Sequence, residues 1–309
     1  MQRIGIVVNP KAGRGAARPL AEALEASFRG RAIAVDHRET RGNGDAARLA
    51  RAFADDGFEL IVAVGGDGTV GGVVDGLMTS RNPDAALSLA AAGTGCDFAR
   101  QFAMPTAPDR LAAHILDAPI RRLDVGRITS IGRDGALSTV HFVNEATAGI
   151  SGEVVRSVNA SPLRGILPGR HLFTLHSVTN ILAWRSKNLL VSLDDGAPER
   201  MTADLVAVCN GAYFGGGMHV APGAELFDGL FDVVILTAGS RMKLVSLLGQ
   251  IRAGRHLNDP SVRIVRAARV RVEPAAGPTA GIPAEADGEE TGFMPVEFEM
   301  LPGALSLKV

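Results

Sequence analysis

Cysteine is scarce in this chain. There are only two, Cys96 and Cys209, far apart in sequence. They indicate no disulfide framework and fit a reducing compartment. A basic excess is also missing: Lys and Arg number 32 against 33 Asp and Glu, for a formal net charge of −1. Nothing in that balance neutralises phosphates along a duplex, so nucleic acid is not an expected partner. No apolar run approaches the roughly 20 residues a spanning helix needs. The chain enters a strand-like run at once, RIGIVV over residues 3–8, without a signal-peptide layout. A cytoplasmic protein is expected, meeting a membrane only peripherally, at its inner surface. There is no internal repeat, and the one biased stretch is an Ala/Gly/Pro loop over residues 274–283. What is plentiful is core material. The 309 residues are 46% hydrophobic, enough for two domains.

The rest of the chain is organised around residues 60–78, LIVAVGGDGTVGGVVDGLM. Leu60 to Val64 form a continuous apolar run rich in β-branched side chains, the pattern of a strand covered on both faces. Gly65, Gly66, Asp67, Gly68 and Thr69 follow. The spacing of Val70, Val73, Val74 and Leu77 then predicts a helix. Strand, glycine turn and helix together aim backbone N–H groups at an anion. Glycine suits the turn because a Cβ would hold phosphate oxygens away. Asp67 cannot touch a phosphate without a cation between the two negative charges, so the motif points to a nucleotide with Mg²⁺.

The same layout recurs. RIGIVV runs into Asn9-Pro10-Lys11-Ala12-Gly13-Arg14-Gly15, and a helix is expected over residues 17–28. That loop lacks the GK[ST] ending of a P-loop. By itself it reads equally as a phosphate loop or as an ordinary turn with solvated Lys11 and Arg14. A further strand is expected from Ala32 to about Thr40, and a helix over residues 43–53. The apolar run 85–91 leads into Gly93-Thr94-Gly95-Cys96-Asp97-Phe98-Ala99-Arg100, read as a third glycine loop that opens a helix. Three such loops at strand C-termini gather on one edge of a doubly wound sheet and form one nucleotide crevice.

After Pro119 the pattern changes. Strands are expected at 121–128, 138–145, 189–193, 204–209, 231–236 and 262–272, with helices at 171–184 and 241–253. The expected domains are 1–120, an α/β nucleotide domain; 121–295, a β-rich domain; and 296–309, a terminal segment docking on either. Three sites stand out in the second half: Asn210–Val220 (NGAYFGGGMHV), the turn APGAELFDGL over 221–230, and Asp287-Gly288-Glu289. Alone, Asp228-Gly229 and Asp287-Gly288 are common hairpin turns.

Taken in order, NPKAG, GGDGT, GTGCDF, NGAYFGGG, APGAELFDG and DGE resemble the diacylglycerol kinase catalytic-domain family, to which soluble bacterial lipid kinases belong and to which sphingosine and ceramide kinases are related. The resemblance runs from Asn9 to Glu289. It implies a doubly wound N-terminal nucleotide domain of the NAD kinase/diacylglycerol kinase type and a C-terminal β-sandwich-like domain, with the active site in the cleft between them. It implies an ATP- and Mg²⁺-dependent transfer to the hydroxyl of a lipid such as diacylglycerol. On that basis Gly65, Gly66, Asp67, Gly68, Thr69, Val70, Gly71 and Gly72 hold ATP phosphates, with Asn9 and Lys11 on the neighbouring loop. Thr40 and Thr94 match ATP contacts, and Asp97 is expected at the substrate. The carbonyls of Glu225 and Leu230, with the Asp228 carboxylate, match a structural Mg²⁺ site. Glu289 matches the general base, and Asp67 acts through the metal and water network. A carboxylate base works best when desolvated, so Glu289 is expected to be partly buried. A homodimer is common in the family.

Two departures stand out. Gly71-Gly72 replace an Asn-Glu pair, and Cys96 replaces an Asn before Asp-Phe. Cys96 reads as a small buried packing residue rather than a thiol catalyst. The alternatives are an NAD kinase-like or other small-molecule kinase on a related fold, and a degenerate nucleotide-binding regulator, which the Gly71-Gly72 departure motivates. Arg164, Arg170, His171, Trp184, Arg185 and Lys187 form a basic and aromatic cluster that suits anionic headgroups, or else a solvated helix with Trp184 in the core.

Overall fold

The computed structural model describes residues 3–92, 95–163, 166–275 and 281–309. The chain forms two compact units: Met1–Asp124 with Pro302–Val309, and Val125–Leu301.

In the first unit β1 (Arg3–Val8), β2 (Ala34–Glu39), β3 (Leu60–Gly65) and β4 (Ala86–Ala91) build a parallel sheet. The order is β2-β1-β3-β4, with Leu307 of the returning chain beside Leu87. The apolar run of β3 is buried throughout. Each such Val, Leu or Ile contributes about 1.5–3 kcal/mol. Side chains alternate between the two faces. Ile4, Ile6, Val8, Val62 and Val64 pack with α1 (Ala17–Arg29) and α4 (Pro108–Asp117). On the opposite face lie α2 (Asp45–Asp55) and α3 (Asp67–Met78), which pack tightly on each other. Strands covered on both faces are the doubly wound arrangement. Its chain order turns outward in opposite directions from β1 and β3, so the switch point lies between those two strands.

The third glycine loop differs from expectation. After β4 no α-helix opens; a 3-10 turn, Ala99–Gln101, forms instead, and the next helix waits for Pro108 at its first turn. The Asp97 and Phe98 amides are drawn to a carboxylate, and Phe98 is buried edge-on against Phe102, with centroids 5.3 Å apart.

The second unit is antiparallel. It holds β5 (Arg121–Ile131), β6 (Leu137–Phe142), β7 (Glu145–Gly149), α5 (Ile150–Asn159), α6 (Gly169–Ala183), β8 (Lys187–Leu193), β9 (Glu199–Ala203), β10 (Leu205–Cys209), β11 (Tyr213–Phe214), β12 (Met218–His219), β13 (Phe231–Leu236), α7 (Arg241–Arg252), β14 (Val262–Ala267), β15 (Arg269–Pro274), β16 (Pro283–Ala286) and β17 (Glu289–Leu307). One ladder runs β14-β13-β10-β7-β16-β17; another joins β9, β8, β15 and β17, with β5 beside β17 and β6 beside β5. Residues of both ladders share one core, including Phe142, Val208, Phe231, Val270 and Phe298. In β10, Val206 and Val208 enter that core, while Leu205, Ala207 and Cys209 face α5, α6 and α7. A strand buried on both faces reads as a continuous apolar run, which LVAVC is.

The sequence reading misses α5, whose Ile150, Val154 and Val155 are buried behind a Ser151-Gly152 start that reads as a turn. The single strand expected over 138–145 is two strands, and the expected 262–272 strand is also two.

Candidate active site

The first unit presents its loops at the C-terminal ends of β1 and β3, on either side of the switch point. The Asn9 amide donates to the Val64 carbonyl at 3.0 Å, and the Thr40 amide to the Val8 carbonyl at 2.8 Å. Asn9 Oδ1 accepts from the Lys11 amide at 3.1 Å. These bonds draw Asn9, Lys11 and Thr40 to the strand ends next to Gly65. Gly66 is the extended N-cap of α3, and no side chain caps the helix. A Cβ at Gly66 would meet nothing within 4 Å, whereas one at Gly65 would strike the Thr69 side chain. The result is a helix start with open space before its amides, the geometry that favours an anion.

Asp67 is the first residue of α3 and half-buried. Its Oδ2 accepts from the Asp97 amide at 2.9 Å and its Oδ1 from the Phe98 amide at 3.0 Å. The carboxylate therefore clamps the loop after β4 to the loop after β3. Asp97 is buried, with Oδ1 3.5 Å from Arg100 Nε. Cys96 is buried as well; burial, and then the Asp67 charge, push its thiol up, which suits packing and not nucleophilic work. Gly72 turns away from the loop. A Cβ there would lie 2.7 Å from Ala46 Cβ, so it lets α2 and α3 approach, and that accounts for a small residue where the family pattern has a polar one. Thr94 lies outside the described residues.

In the second unit, β16 and β17 pair with Ala286 opposite Glu289, leaving Asp287-Gly288 as a two-residue hairpin loop. Both residues have positive φ, 45° and 82°, as a type I′ turn requires and as Asp-Gly tolerates. Asp287 is buried. Its Oδ1 accepts from the Asn144 and Glu145 amides and its Oδ2 from the Val143 amide, each at 3.0 Å. At Val143 and Asn144 those bonds take the place of ladder pairing and explain the break between β6 and β7, while Glu145 stays paired with Cys209. Burial pushes the Asp287 carboxyl up to about 6 despite the three donors. Glu289 itself is exposed, a correction to the expected partial burial: it stands at the tip of the hairpin, just past the left-handed pair. Its neighbour Glu290 is held by Arg133 at 2.7 Å and Arg156 at 2.8 Å.

At the 221–230 turn, Asp228 Oδ1 accepts from the Leu230 amide at 3.1 Å, and Oδ2 meets Arg266. The same guanidinium lies 4.0 Å from Asp232. Burial, and then the Glu225 charge, push the Asp232 carboxyl up. Two acids share one guanidinium, with Glu225 acting on one of them, and the Glu225 and Leu230 carbonyls would add hard oxygen donors of the type Mg²⁺ takes, so the set fits a divalent cation. Among the described residues no group of three or more His, Cys, Asp or Glu side chains could hold a metal by itself, so such a site depends on those carbonyls. Trp184 belongs to the core, its Nε1 donating to Asp204 at 3.2 Å.

Comparison with known proteins agrees across nearly the whole chain. Residues 3–128 match the diacylglycerol kinase catalytic domain, and residues 144–309 match the YegS C-terminal NAD kinase beta sandwich-like domain. A diacylglycerol kinase of Mycobacterium tuberculosis is 30% identical over 309 residues, covering 99% of this chain and 94% of that protein. The chain belongs to the diacylglycerol kinase family. The kinase is also 29% identical to a diacylglycerol kinase of Bacillus subtilis, over 96% of this chain and 93% of that protein. A solved diacylglycerol kinase from Bacillus anthracis str. Sterne shares the fold with a TM-score of 0.72 at 23% identity, covering 99% of this chain and 96% of that one. Yeast NADH kinase is similar in fold alone, at a TM-score of 0.51 and 12% identity over 99% of this chain and 82% of that one. The family is one of lipid kinases, which makes this chain an enzyme.

Sequence reasoning missed the groups beneath the kinase's Asp287-Gly288 turn. Glu145 and Glu285 are both buried inside strands, and Asn159 Nδ2 donates to the Gly288 carbonyl at 3.3 Å. The available signal was the alternation in Pro283–Ala286, where Ala284 and Ala286 face the core and Glu285 must face α5.

Proposed function

We propose that this lipid kinase transfers the γ-phosphoryl group of ATP to the hydroxyl of diacylglycerol or a closely related lipid alcohol, with Mg²⁺. The observation that carries the reading is the uncapped start of α3, with open space at Gly66 beside the switch point. The amides at the start of α3, from Gly66 to Gly68, with Asn9, Lys11 and Thr40 from the adjoining strand ends, hold the phosphates; Thr94 joins them by resemblance, whereas the Val70, Gly71 and Gly72 amides are spent inside the helix. Asp67 fixes the loop that carries Asp97 near the acceptor and faces the phosphates through water and cation. Bound Mg²⁺, organised at the phosphates by Asp67 through water, would neutralise charge that builds on the phosphoryl oxygens, while the Asp228 carboxylate and the Glu225 and Leu230 carbonyls would hold a separate, structural Mg²⁺. A lipid hydroxyl is a poor nucleophile until its proton is removed, and Glu289 is the carboxylate that accepts it. The proton moves from the hydroxyl to a Glu289 oxygen as the new O–P bond forms.

Reaching such a substrate needs a surface for lipid. Among the described residues no helix is long and apolar enough to cross a membrane. The outer face of α6 carries exposed Leu175 and Leu182, and Ile166 precedes the helix at 68% exposure. No Asp or Glu occurs between Glu153 and Asp194, while Arg170, His171 and Arg185 flank the stripe. An apolar face flanked by cations suits anionic headgroups.

The test is transfer from γ-labelled ATP to a panel of lipids in mixed micelles, with and without Mg²⁺. Labelled phosphatidic acid from diacylglycerol, lost on chelation, is the expected result. Label appearing on NAD⁺ and on no lipid would overturn the reading.

A further inference from the structure

The acids beneath the hairpin turn have no part in the reaction described so far. Glu285 lies in β16 with no exposed surface, and Glu145 opens β7, also buried. The strands are paired, Glu285 opposite Thr147. Glu285 Oε1 accepts from Thr147 Oγ1 at 2.7 Å and from Ser151 Oγ of α5 at 3.2 Å, and Oε2 accepts from the Gly288 amide at 3.2 Å. Glu145 stands two residues from Thr147 on the same face of β7, which sets its side chain against that of Glu285. Two carboxylates buried side by side have no donor of their own, so the pair retains one proton between them. Glu285, already supplied with three donors, is the natural acceptor, which leaves the proton on Glu145.

The titratable groups set against the pair are acids. Asp287 comes from the turn and Cys209, paired with Glu145, from β10. From α5 comes the Ser151 hydroxyl, while Arg156 of that helix is taken by Glu290 and Glu153. The pair also fastens both ends of the turn. The Glu145 carbonyl accepts from the Asp287 amide at 2.9 Å, the Glu145 amide donates to Asp287, and Glu285 receives the Gly288 amide.

We propose that Glu145 and Glu285 are positioning residues, whose single shared proton locks the Asp287-Gly288 turn and thereby sets the place of Glu289 for phosphoryl transfer. The pair also makes the turn sensitive to alkali. Release of the proton to solvent leaves two buried anions in contact, with two more acids beside them, and the turn loosens. Burial holds Glu285 above the ordinary carboxylate range. A group raised in this way contributes stability that is present below its unfolded pKa and is lost as pH rises through the folded one.

The proposal rests on Glu289 as the base, and the test separates the two. In Glu145→Gln a permanent amide donor replaces the shared proton. The expected result is a kcat for diacylglycerol that keeps its neutral-pH value up to pH 9, where the parent falls roughly tenfold, together with a melting temperature above the parent's at pH 9 and a gap that closes at pH 5. Glu145→Ala, which supplies no donor, should not be rescued in this way. A melting-temperature gap that is the same at pH 5 and pH 9 would overturn the shared proton, whatever Glu289 does. In case Glu145→Gln folds poorly, the infrared band of a protonated carboxyl in the parent at pH 7, absent in Glu145→Ala, reports the same proton; its absence from the parent would also overturn the proposal. If the melting and infrared results hold while Glu289→Gln remains active, the lock stands and the base lies elsewhere.

Discussion

Asp67-Gly68 and Asp287-Gly288 are the same dipeptide folded in two ways. The first follows a buried strand and precedes Val70, Val73, Val74 and Leu77 at helical spacing, so it opens α3. The second lies between two strand segments and adopts the left-handed pair of a tight hairpin. Both carboxylates do related work: each accepts backbone amides from a loop distant in sequence, two for Asp67 and three for Asp287. They differ in burial. Asp67 is half-buried next to the helix amides, where a ligand can reach it. Asp287 is buried, and the exposed acid is Glu289, two residues on. The same carboxylate clamp is left open to solvent at Asp67 and closed off at Asp287.

Substitutions can break that comparison at either turn. Asp287→Ala leaves three buried amides without an acceptor and should cost about 3–5 kcal/mol in urea unfolding, against about 1–3 kcal/mol for Asp67→Ala, where water can substitute. Equal losses would remove the distinction in burial. Gly72→Val should cost about 1–3 kcal/mol by forcing α2 from α3, with the nucleotide KM nearly unchanged. Gly66→Ala should do the reverse, changing stability by less than about 0.5 kcal/mol while raising the KM for ATP several-fold; an unchanged KM would take the phosphates away from that loop. The smallest effect is on pH. Because burial raises Asp287 to about 6, its contribution to stability is present below the ordinary carboxylate pKa near ~4 and is lost as pH rises through about 6. Melting temperature should fall across that window in the parent and fall less in Asp287→Asn; equal slopes would mean that the Asp287 carboxyl is not desolvated.

Much of this was legible in the residues. The run Leu60 to Val64 followed by glycines could only be a two-face-buried strand meeting a helix, and β3 and α3 follow it closely. What the sequence hid depends on long-range pairing. The loop after β4 reads as a helix start until Asp67 draws off its amides. The stretch 138–145 reads as one strand until Asp287, more than 140 residues on, takes three of its N–H groups. Acids inside a strand read as solvent-facing, so Glu145 and Glu285 gave no local sign of meeting each other behind the turn. Glu289 was expected to be partly buried because a base gains from desolvation, but its own hairpin leaves it at an exposed tip.

Glu289 carries the proposed chemistry most directly. ATP affinity by calorimetry and phosphoryl transfer to diacylglycerol should be measured on one sample of Glu289→Gln beside the parent. The expected result is an ATP Kd within about twofold and a kcat lower by roughly 10²–10⁴-fold. Parental transfer rates in that variant would contradict it.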